Sequence, residues 1–339
     1  MRTLAELEER LSRPRDVLVD DLRELDGDIL VLGAGGKLGP SLVRLALRGV
    51  AAAGTGARVY AVSRFSEHGL ADALRSEGAE TVVADVSDDT ALAGLPDVPN
   101  VGFLVSAKFG TSGREHATWA TNTYLPGRVA QRYAGSRIAA LSTGNVYPLV
   151  PVSSGGCTEQ TPVDPVGEYA MSCLGRERIL SHFAERDTTP TALIRLNYAV
   201  ELRYGVLVDL ARAILAGEPI DLTTGHANVV WQGYANEVTL RALRHAAAPE
   251  PFVLNVTGPE LLSVRQAATT LGSLLGSEPR YAGDEAPTAL LSNAQRCHRL
   301  FGYPDVPLAE LLEWTADWVG GDRPLLGKPT HFQRRDGRF

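Results

Sequence analysis

The sequence predicts an α/β protein, in which a doubly wound parallel sheet carries a smaller C-terminal α/β lobe. A short apolar run over residues 29–32 leads directly into a glycine-rich turn. Strand-like and helix-like segments then alternate as far as residue 197, where the alternation stops. Alternating strands and helices need crossover connections, and these build a parallel sheet with helices on both faces.

The glycine-rich turn follows the first predicted strand and opens a helix. This segment reads D-I-L-V-L-G-A-G-G-K-L-G, which puts Gly33, Gly36 and Gly39 at three-residue steps. Gly33 suits a turn with positive φ, Gly36 lets the backbone approach a pyrophosphate, and Gly39 lets the helix pack against the strand. The helix N-terminus would face the phosphates, with Lys37 and Leu38 beside it. The pattern predicts a dinucleotide-binding site, and a plain glycine-rich turn is the alternative.

The other elements follow from hydrophobic periodicity and from turn residues. Two short helices precede the first strand, the first behind a Thr3 cap and the second over 17–25. Further strands are predicted at 58–63, 81–84, 100–106, 137–142, 191–195 and 252–256. Further helices are predicted at 38–47, 70–76, 115–133, 167–183, 206–216, 235–247, 263–275 and 308–319.

The chain therefore divides into four predicted parts. Residues 1–27 form a helical extension, for which packing on the body and a dimer contact are both open. Residues 28–197 form the dinucleotide-binding Rossmann domain, and residues 198–320 form a substrate-binding lobe that partly returns to the core. Residues 321–339 form an irregular tail rich in glycine and proline.

Composition and charge exclude several classes of protein. The 339 residues carry a net charge of −7 with both signs interspersed, which favours neither nucleic acid nor an anionic membrane surface. No apolar run approaches the ~20 residues that span a bilayer, and the charged N-terminus lacks a signal-peptide core. The three cysteines, Cys157, Cys173 and Cys297, are isolated and form no zinc-type cluster. These features predict a reduced, cytoplasmic protein with a small-molecule substrate and no metal.

The end of the second strand indicates the choice of cofactor. An acidic residue there would bind a ribose 2′-hydroxyl, but the chain has Ser63 and Arg64. A hydroxyl and a guanidinium suit a 2′-phosphate, and Lys37 offers a second cation. The sequence therefore favours NADP over NAD. A surface position for Arg64, or stacking on adenine, is the alternative.

Two other strand ends add predicted cofactor contacts. Asp85 and Val86 follow the third strand, where an adenine contact is expected. Ser106, Ala107 and Lys108 follow the fourth strand, close to the expected ribose and nicotinamide. Ligands of such sheets bind outside the carboxyl ends of the strands, so these residues should converge.

A hydroxyl residue and a tyrosine supply a candidate acid–base pair. The fifth strand ends in L-S-T-G-N-V-Y, and Tyr169 opens the following helix. Tyrosine has a reference pKa near ~10, so it needs a nearby positive charge to act near neutral pH. Thr143 could then hydrogen-bond the reacting oxygen. Taken singly, each of these two residues is also an ordinary core or rim residue.

Together, these residues resemble the extended short-chain dehydrogenase/reductase family, of the NAD(P)-dependent epimerase/dehydratase type, over roughly 28–320. The matching motifs are Gly33-x-x-Gly36-x-x-Gly39, Asp85-Val86, Asn122, Ser142-Thr143-x-x-Val146-Tyr147, Tyr169 and Asn255-Val256-x-Gly258. The resemblance implies that Thr143 and Tyr169 are catalytic and that Arg64 marks NADP preference. It also implies a homodimer that pairs the helices at 115–133 and 167–183 with their copies.

Two departures from the family pattern matter. The family's Tyr-x-x-x-Lys reads Tyr169-x-x-x-Cys173, so the lysine that binds the ribose and lowers the tyrosine pKa is missing. We expect Lys108 to replace that cation, and a phosphate contact or a surface salt bridge is the alternative.

The second departure concerns the substrate. The stretch 226–233 lacks the arginine that grips diphosphate in nucleotide-sugar members, and Asn197 stands one residue early. A free or simply substituted sugar is therefore favoured as the substrate. For Trp231, a position in the hydrophobic core is the alternative to a substrate contact. The predicted substrate contacts are Thr143, Asn145, Asn197, Tyr198 and Trp231.

The sequence thus predicts an NAD(P)-dependent oxidoreductase or epimerase that moves a hydroxyl proton through Tyr169 while hydride passes to or from nicotinamide. Epimerisation, dehydration and carbonyl reduction all begin with that step, and the sequence does not choose among them. The alternative is a non-catalytic NADP(H)-binding redox sensor, which Cys173 motivates. Retention of both Thr143 and Tyr169 favours the enzyme.

Overall fold

Seven parallel strands form the central sheet of the computed structural model, which describes residues 1–108, 113–328 and 330–338. The strands are β1 (Ile29–Leu32), β2 (Val59–Ser63), β3 (Glu80–Val83), β4 (Asn100–Phe103), β5 (Arg137–Thr143), β6 (Thr191–Leu196) and β7 (Phe252–Val256). Their spatial order is 3-2-1-4-5-6-7. The order reverses beside β1, which is where a doubly wound sheet opens a crevice for a ligand. The predicted fold class is confirmed.

Helices cover both faces of this sheet. They are α1 (Leu4–Leu11), α2 (Asp16–Arg23), α3 (Gly39–Ala53), α4 (Leu70–Ser76), α5 (Asp89–Ala93), α6 (Glu115–Trp119), α7 (Leu125–Arg132), α8 (Gly167–Asp187), α9 (Val206–Ala216), α10 (Gln232–Arg241), α11 (Val264–Leu275), α12 (Gln295–Phe301) and α13 (Leu308–Gly320). Alternate residues of β1 enter opposite cores, because successive strand side chains point to opposite faces. Ile29 and Val31 pack with α2, α3 and α10, whereas Leu30 and Leu32 pack with α7 and α8.

The helical extension packs on the body of the protein. Thr3 caps α1 through a reciprocal capping box with Glu6. Gly49 in α3 allows α2 to approach closely, because a Cβ at Gly49 would lie 2.5 Å from Leu22. Arg15 of the extension donates two hydrogen bonds at 2.6 Å to Glu237 in α10. The extension is therefore part of one face of the fold.

The segment predicted as one helix over 115–133 contains a π-helical turn at Ala120–Tyr124, between α6 and α7. Pro126 has no N–H to donate to the carbonyl of Asn122, and Leu125 instead bonds Ala120. Arg176 of α8 takes the freed Asn122 carbonyl at 3.2 Å. The prediction of a continuous α-helix was therefore wrong at this turn.

The C-terminal half is mostly helical and returns one strand, β7, to the central sheet. Helices α9, α11 and α13 share a second hydrophobic core with α1 and with the buried Trp231 and Trp318. Very short strand pairs, such as Val230–Trp231 with Ala199–Val200, complete this half. None of the described helices is long and apolar enough to cross a membrane.

Candidate functional site

Two adjoining cavities open at the carboxyl ends of the parallel strands. The larger, about 400 Å³, is lined by the glycine turn, the ends of β5 and β6, and the first residues of α9. The smaller, about 270 Å³, lies at the ends of β2 and β3. Both are bordered by Gly33, Gly36, Leu104 and Ser106, so one groove runs across the glycine turn.

The glycine turn fits the backbone requirements of a dinucleotide site. Gly33 has a φ of +92°, which favours glycine. A Cβ at Gly39 would lie 2.3 Å from the carbonyl oxygen of Ala34, so only glycine lets α3 start there. Gly36 borders both cavities, and Leu38 lines the larger one. These residues could hold a pyrophosphate between the two cavities, as the sequence predicts.

The smaller cavity contains the residues predicted for the adenosine end. Ser63, Arg64, Asp85 and Val86 all line it. The side chain of Arg64 is 77% exposed and lies 3.8 Å from the carboxylate of Asp85. The Asp85 carboxylate accepts hydrogen bonds from the hydroxyl and the N–H of Ser87, and these lower its pKa. The preference for NADP stays a prediction, because Asp85 already neutralises part of the charge of Arg64.

Lys37 points away from the adenosine end. Its Nζ lies 2.8 Å from the ring centroid of Tyr204, and it lines the larger cavity rather than the smaller one. Burial, assisted by the nearby charge of Lys108, lowers the pKa of Lys37 to about 7. The expectation that Lys37 adds a cation at a 2′-phosphate is therefore corrected. The turn directs its side chain towards the C-terminal half.

Thr143 and Tyr169 meet in the larger cavity. Thr143 ends β5, and its Oγ1 donates to Oδ1 of Asn145 at 2.9 Å. Tyr169 lies in the first turn of α8 and lines the same cavity as Thr143. Burial raises the pKa of Tyr169 and the nearby Cys173 acts in the same direction, whereas Arg176 and the nearby hydroxyl of Thr143 lower it. The pair could exchange a proton with a substrate oxygen if a neighbouring cation offset the burial.

Lys108 provides a neighbouring cation. Its Nζ lies 5.6 Å from the ring centroid of Tyr169 and 6.0 Å from that of Tyr198. Burial lowers the pKa of Lys108 to about 8. Cys173 is fully buried one turn beyond Tyr169, and burial raises the pKa of its thiol. A neutral thiol cannot replace the family's lysine, so the role of Lys108 stays a prediction supported by its position.

The end of β4 is held by Asn122 of the π-helical turn. Its Oδ1 accepts from the N–H of Ala107 at 2.8 Å and from the hydroxyl of Ser106 at 3.1 Å. Its Nδ2 donates to the carbonyl of Ala107 at 2.9 Å and to the hydroxyl of Ser172 at 3.0 Å. These bonds fix Ser106 where it borders both cavities. They also occupy the backbone N–H and carbonyl of Ala107.

The predicted substrate contacts divide into two groups. Asn145, Asn197 and Tyr198 line the larger cavity with Thr143. Trp231 is 1% exposed and packs edge to face on Trp314 with ring centroids 5.7 Å apart. The prediction that Trp231 contacts the substrate was wrong, because its side chain is buried in the hydrophobic core of the C-terminal half.

Sequence reasoning missed several residues of the larger cavity. Arg176 lies two turns beyond Tyr169, and this helical spacing was the signal that could have found it. It donates to the carbonyl of Val105 at 3.2 Å and to the hydroxyl of Ser106 at 3.1 Å. Tyr204 precedes α9, and the tail brings in Lys328 and Thr330. No local sequence pattern predicts that the tail residues line the cavity, because an irregular segment has no periodicity.

These observations define a Rossmann-type α/β protein whose groove could hold a dinucleotide and whose larger cavity brings Thr143 and Tyr169 together. The chain belongs to the NAD dependent epimerase/dehydratase family, whose model matches residues 29–252. This places it in a family of enzymes and confirms the resemblance seen in its motifs. No curated protein matches the chain in sequence.

Solved structures share this fold over most of the chain. A UDP-glucuronic acid 4-epimerase from Bacillus cereus, in complex with UDP-glucuronic acid and NAD, has a TM-score of 0.72 at 19% identity, covering 87% of this chain and 99% of that one. DesIV, a dTDP-glucose 4,6-dehydratase from Streptomyces venezuelae with NAD bound, has a TM-score of 0.73 at 19% identity, with 87% and 97% covered. WbmG from Bordetella bronchiseptica, in complex with NAD, has a TM-score of 0.70 at 17% identity, with 88% and 96% covered.

Proposed function

We propose that the protein is an NAD(P)-dependent epimerase, dehydratase or reductase that acts on a hydroxyl or carbonyl group of a small, carbohydrate-like substrate. The observation that carries this proposal is that Thr143, Tyr169 and Lys108 line the same cavity as the glycine turn. The family assignment supports it. The solved epimerase and dehydratase that share the fold act on sugar nucleotides, which supports a carbohydrate.

The groove residues have distinct roles in this proposal. The glycine turn and α3 hold the pyrophosphate, the smaller cavity holds the adenosine end, and Ser106 borders the inner end. The nicotinamide ring, when bound, accepts or returns a hydride. Leu104, Leu141 and Leu196 form apolar parts of the larger cavity wall and would limit water around the reacting carbon.

In this proposal, the proton of the substrate hydroxyl is transferred to and from a side chain of the protein. For oxidation of a substrate alcohol, the phenolate of Tyr169 takes the hydroxyl proton and becomes the neutral phenol, and Thr143 positions the substrate oxygen. For reduction, Tyr169 returns a proton to that oxygen. The ammonium of Lys108, close to the ring of Tyr169, stabilises the negative charge that forms on the phenolic oxygen.

The alternative function is a non-catalytic cofactor sensor. Cys173 in place of the family's lysine favours it, because that thiol is buried and its pKa is raised. The geometry of Thr143, Tyr169 and Lys108 favours the enzyme, since a sensor needs none of these contacts. Conversion of any carbohydrate or carbonyl substrate by the wild type, with loss in a Tyr169 variant, would separate the two.

Cofactor binding is the experiment that tests the proposal first. We propose NADP as the preferred cofactor because Arg64 lines the adenosine cavity. Calorimetry with NADPH and NADH on the wild type and on Arg64→Ala should show tighter NADPH binding that the substitution weakens about tenfold. Arg338→Ala, an exposed tail variant, is the control and should change neither affinity. Absence of binding by both cofactors would overturn the proposal.

We also propose a homodimer and a cytoplasmic location. Large apolar side chains are exposed on the helices expected to pair and beside them, namely Trp119, Tyr124, Val166 and Met171. Such side chains are buried when two copies pack. Light scattering should give twice the mass of the chain, and Tyr124→Asp should give the mass of one chain. A monomeric wild type would contradict the dimer. The free, buried cysteines suit the reducing cytoplasm.

A further inference from the structure

Lysine is confined to one cavity of this protein. The chain has three lysines among its 33 lysines and arginines, and these are Lys37, Lys108 and Lys328. All three line the larger cavity. A lysine ammonium is a compact charge whose donors can turn to any direction, whereas a guanidinium is a planar fork. All three lysine ammonium groups of the chain therefore border one cavity, and every other basic side chain apart from histidine is an arginine.

Lys37 lies on the side of the cavity formed by the C-terminal half. Its Nζ stands over the ring of Tyr204, which is followed by Gly205 and Val206 at the start of α9. Both of these residues line the cavity. The first N–H groups of α9 add positive potential beside the Lys37 ammonium. Arg64 and the adenosine end belong to the smaller cavity, which Lys37 does not line.

Lys328 is brought to the same cavity by the C-terminal tail. The tail is attached on both sides of it: the N–H of Leu326 bonds the carbonyl of Arg203 at 3.0 Å, and Thr330 donates twice to Asp209 at 2.8 and 2.6 Å. Phe332 then enters the hydrophobic core of the C-terminal half. The exposed side chain of Lys328 therefore borders the cavity from an anchored segment.

The two carboxylates whose charges act on Lys37, Glu201 and Asp209, already have partners. Arg203 binds Glu201 at 3.0 Å through its side chain and through its N–H. Asp209 accepts the two hydrogen bonds from Thr330. The charges of Lys108 and Lys328 both contribute to the lowered pKa of Lys37, after burial. Ammonium groups that repel one another in a cavity favour a ligand of opposite charge.

We propose that Lys37 and Lys328 form a subsite for an anionic group of the substrate, either a carboxylate or a phosphate. This inference rests on the proposed function, because it takes the larger cavity as the substrate cavity. It names the substrate class, a carbohydrate-like anion, and makes the tail part of the binding site. The pyrophosphate of the cofactor has the same chemistry, so the experiment must separate the two sources.

The test uses the full chain loaded with NADPH or NADH, whichever binds, at constant ionic strength. The probes are inorganic phosphate, glucose 1-phosphate and its neutral counterpart methyl glucoside, each titrated by calorimetry. We expect glucose 1-phosphate to bind at least about tenfold more tightly than methyl glucoside. Lys328→Gln should remove that preference and weaken phosphate binding about tenfold, with cofactor affinity changed less than about twofold. Arg338→Gln, the same charge change on the same tail, should alter none of these.

Each other outcome overturns the subsite. If neither anionic probe binds the loaded wild type better than the neutral one, the cavity does not select anions. If Lys328→Gln weakens the cofactor and leaves phosphate binding unchanged, the lysines hold the cofactor pyrophosphate. In both cases cofactor binding persists, so the proposed function stands while this inference fails. Absence of cofactor binding would instead overturn the proposed function, and the inference with it.

Discussion

Arg195 and Glu177 form a buried ion pair beside the carboxyl end of β5. Arg195 donates to Glu177 from Nη2 at 2.6 Å and from Nε at 3.0 Å, with side-chain exposures of 8% and 4%. The hydroxyl of Ser142 donates to the same carboxylate at 2.6 Å. Arg195 also donates to the hydroxyl of Tyr147 at 2.7 Å. The pair joins β5, β6 and α8, so it fixes Thr143 relative to Tyr169.

Removal of this carboxylate should destabilise the protein strongly. Glu177→Gln leaves the Arg195 guanidinium buried without a counter-charge, which should lower the free energy of unfolding by about 3 kcal/mol. Urea unfolding would measure it as a lower midpoint with an unchanged slope. Asp187→Asn removes a partner of Arg186 at the protein surface and should leave the midpoint almost unchanged, because solvent screens that pair. Equal losses in the two variants would contradict a structural role for the buried pair.

Loss of the Tyr169 hydroxyl should abolish turnover while cofactor binding persists. Tyr169→Phe removes the group that carries the proton, and we expect kcat to fall by about 10²–10⁴. NADPH affinity should stay within about twofold, because the ring remains in place. Tyr133→Phe is the control, since that buried hydroxyl bonds the carbonyl of Pro96 away from the cavity. A Tyr169→Phe enzyme as active as the wild type would exclude the proposed proton path.

The charge of Lys108 should set the alkaline limit of activity. Its pKa is lowered to about 8, so the ammonium is present below that pH and is lost as the pH rises through it. Turnover should therefore fall above about pH 8 in the wild type and be almost absent in Lys108→Met.

The variant Lys108→Arg tests whether a permanent positive charge restores the turnover that Lys108→Met should lose. Arginine stays charged, so this variant should keep partial activity and shift the alkaline limb of kcat/KM to higher pH. A pH profile of all three proteins measures both effects. An unchanged limb in Lys108→Arg would assign the titration to another group and leave Lys108 with a structural role.

The glycine turn should tolerate no side chain at Gly39. A Cβ there would lie 2.3 Å from the Ala34 carbonyl oxygen and 2.6 Å from that of Gly33, and both atoms are backbone. Gly39→Ala should destabilise the fold by about 2 kcal/mol and weaken NADPH binding, because the turn must shift. Gly94→Ala is the control, since its nearest neighbour would lie 3.4 Å away, and its effect should stay within about 1 kcal/mol. Thermal unfolding and calorimetry would measure the two effects, and similar losses in both variants would contradict this view of the turn.

The sheet could be predicted from sequence because its pattern is local and periodic. Strands buried on both faces read as apolar runs, and the residue after each run falls at one edge of the sheet. The pattern therefore predicts that Ser63, Asp85, Ser106 and Thr143 lie at one edge of the sheet, and all four line the groove. The predicted strand at 100–106 was too long, because pairing stops where β1 ends at Leu32 opposite Phe103.

The rest of the site depends on contacts between distant parts of the chain. The π-helical turn follows from Pro126 together with Arg176, which lies far along the sequence. The direction of Lys37 depends on Tyr204 across the cavity. A tryptophan ring can stack on a sugar, but the ring of Trp231 packs against Trp314 in the hydrophobic core. Such outcomes are decided by tertiary packing, which single-sequence periodicity does not record.

The scarcity of lysine has a practical consequence for chemical labelling. Acylating reagents that attack primary amines can modify this chain only at its N-terminus and at Lys37, Lys108 and Lys328. Coupling through amines, whether to a sensor chip or to a fluorophore, would therefore fall largely on the cavity that should bind ligands. Attachment through an engineered exposed cysteine would leave that cavity unmodified. Conversely, the extent of amine acylation, read by mass spectrometry with and without a ligand, would report occupancy of the cavity directly.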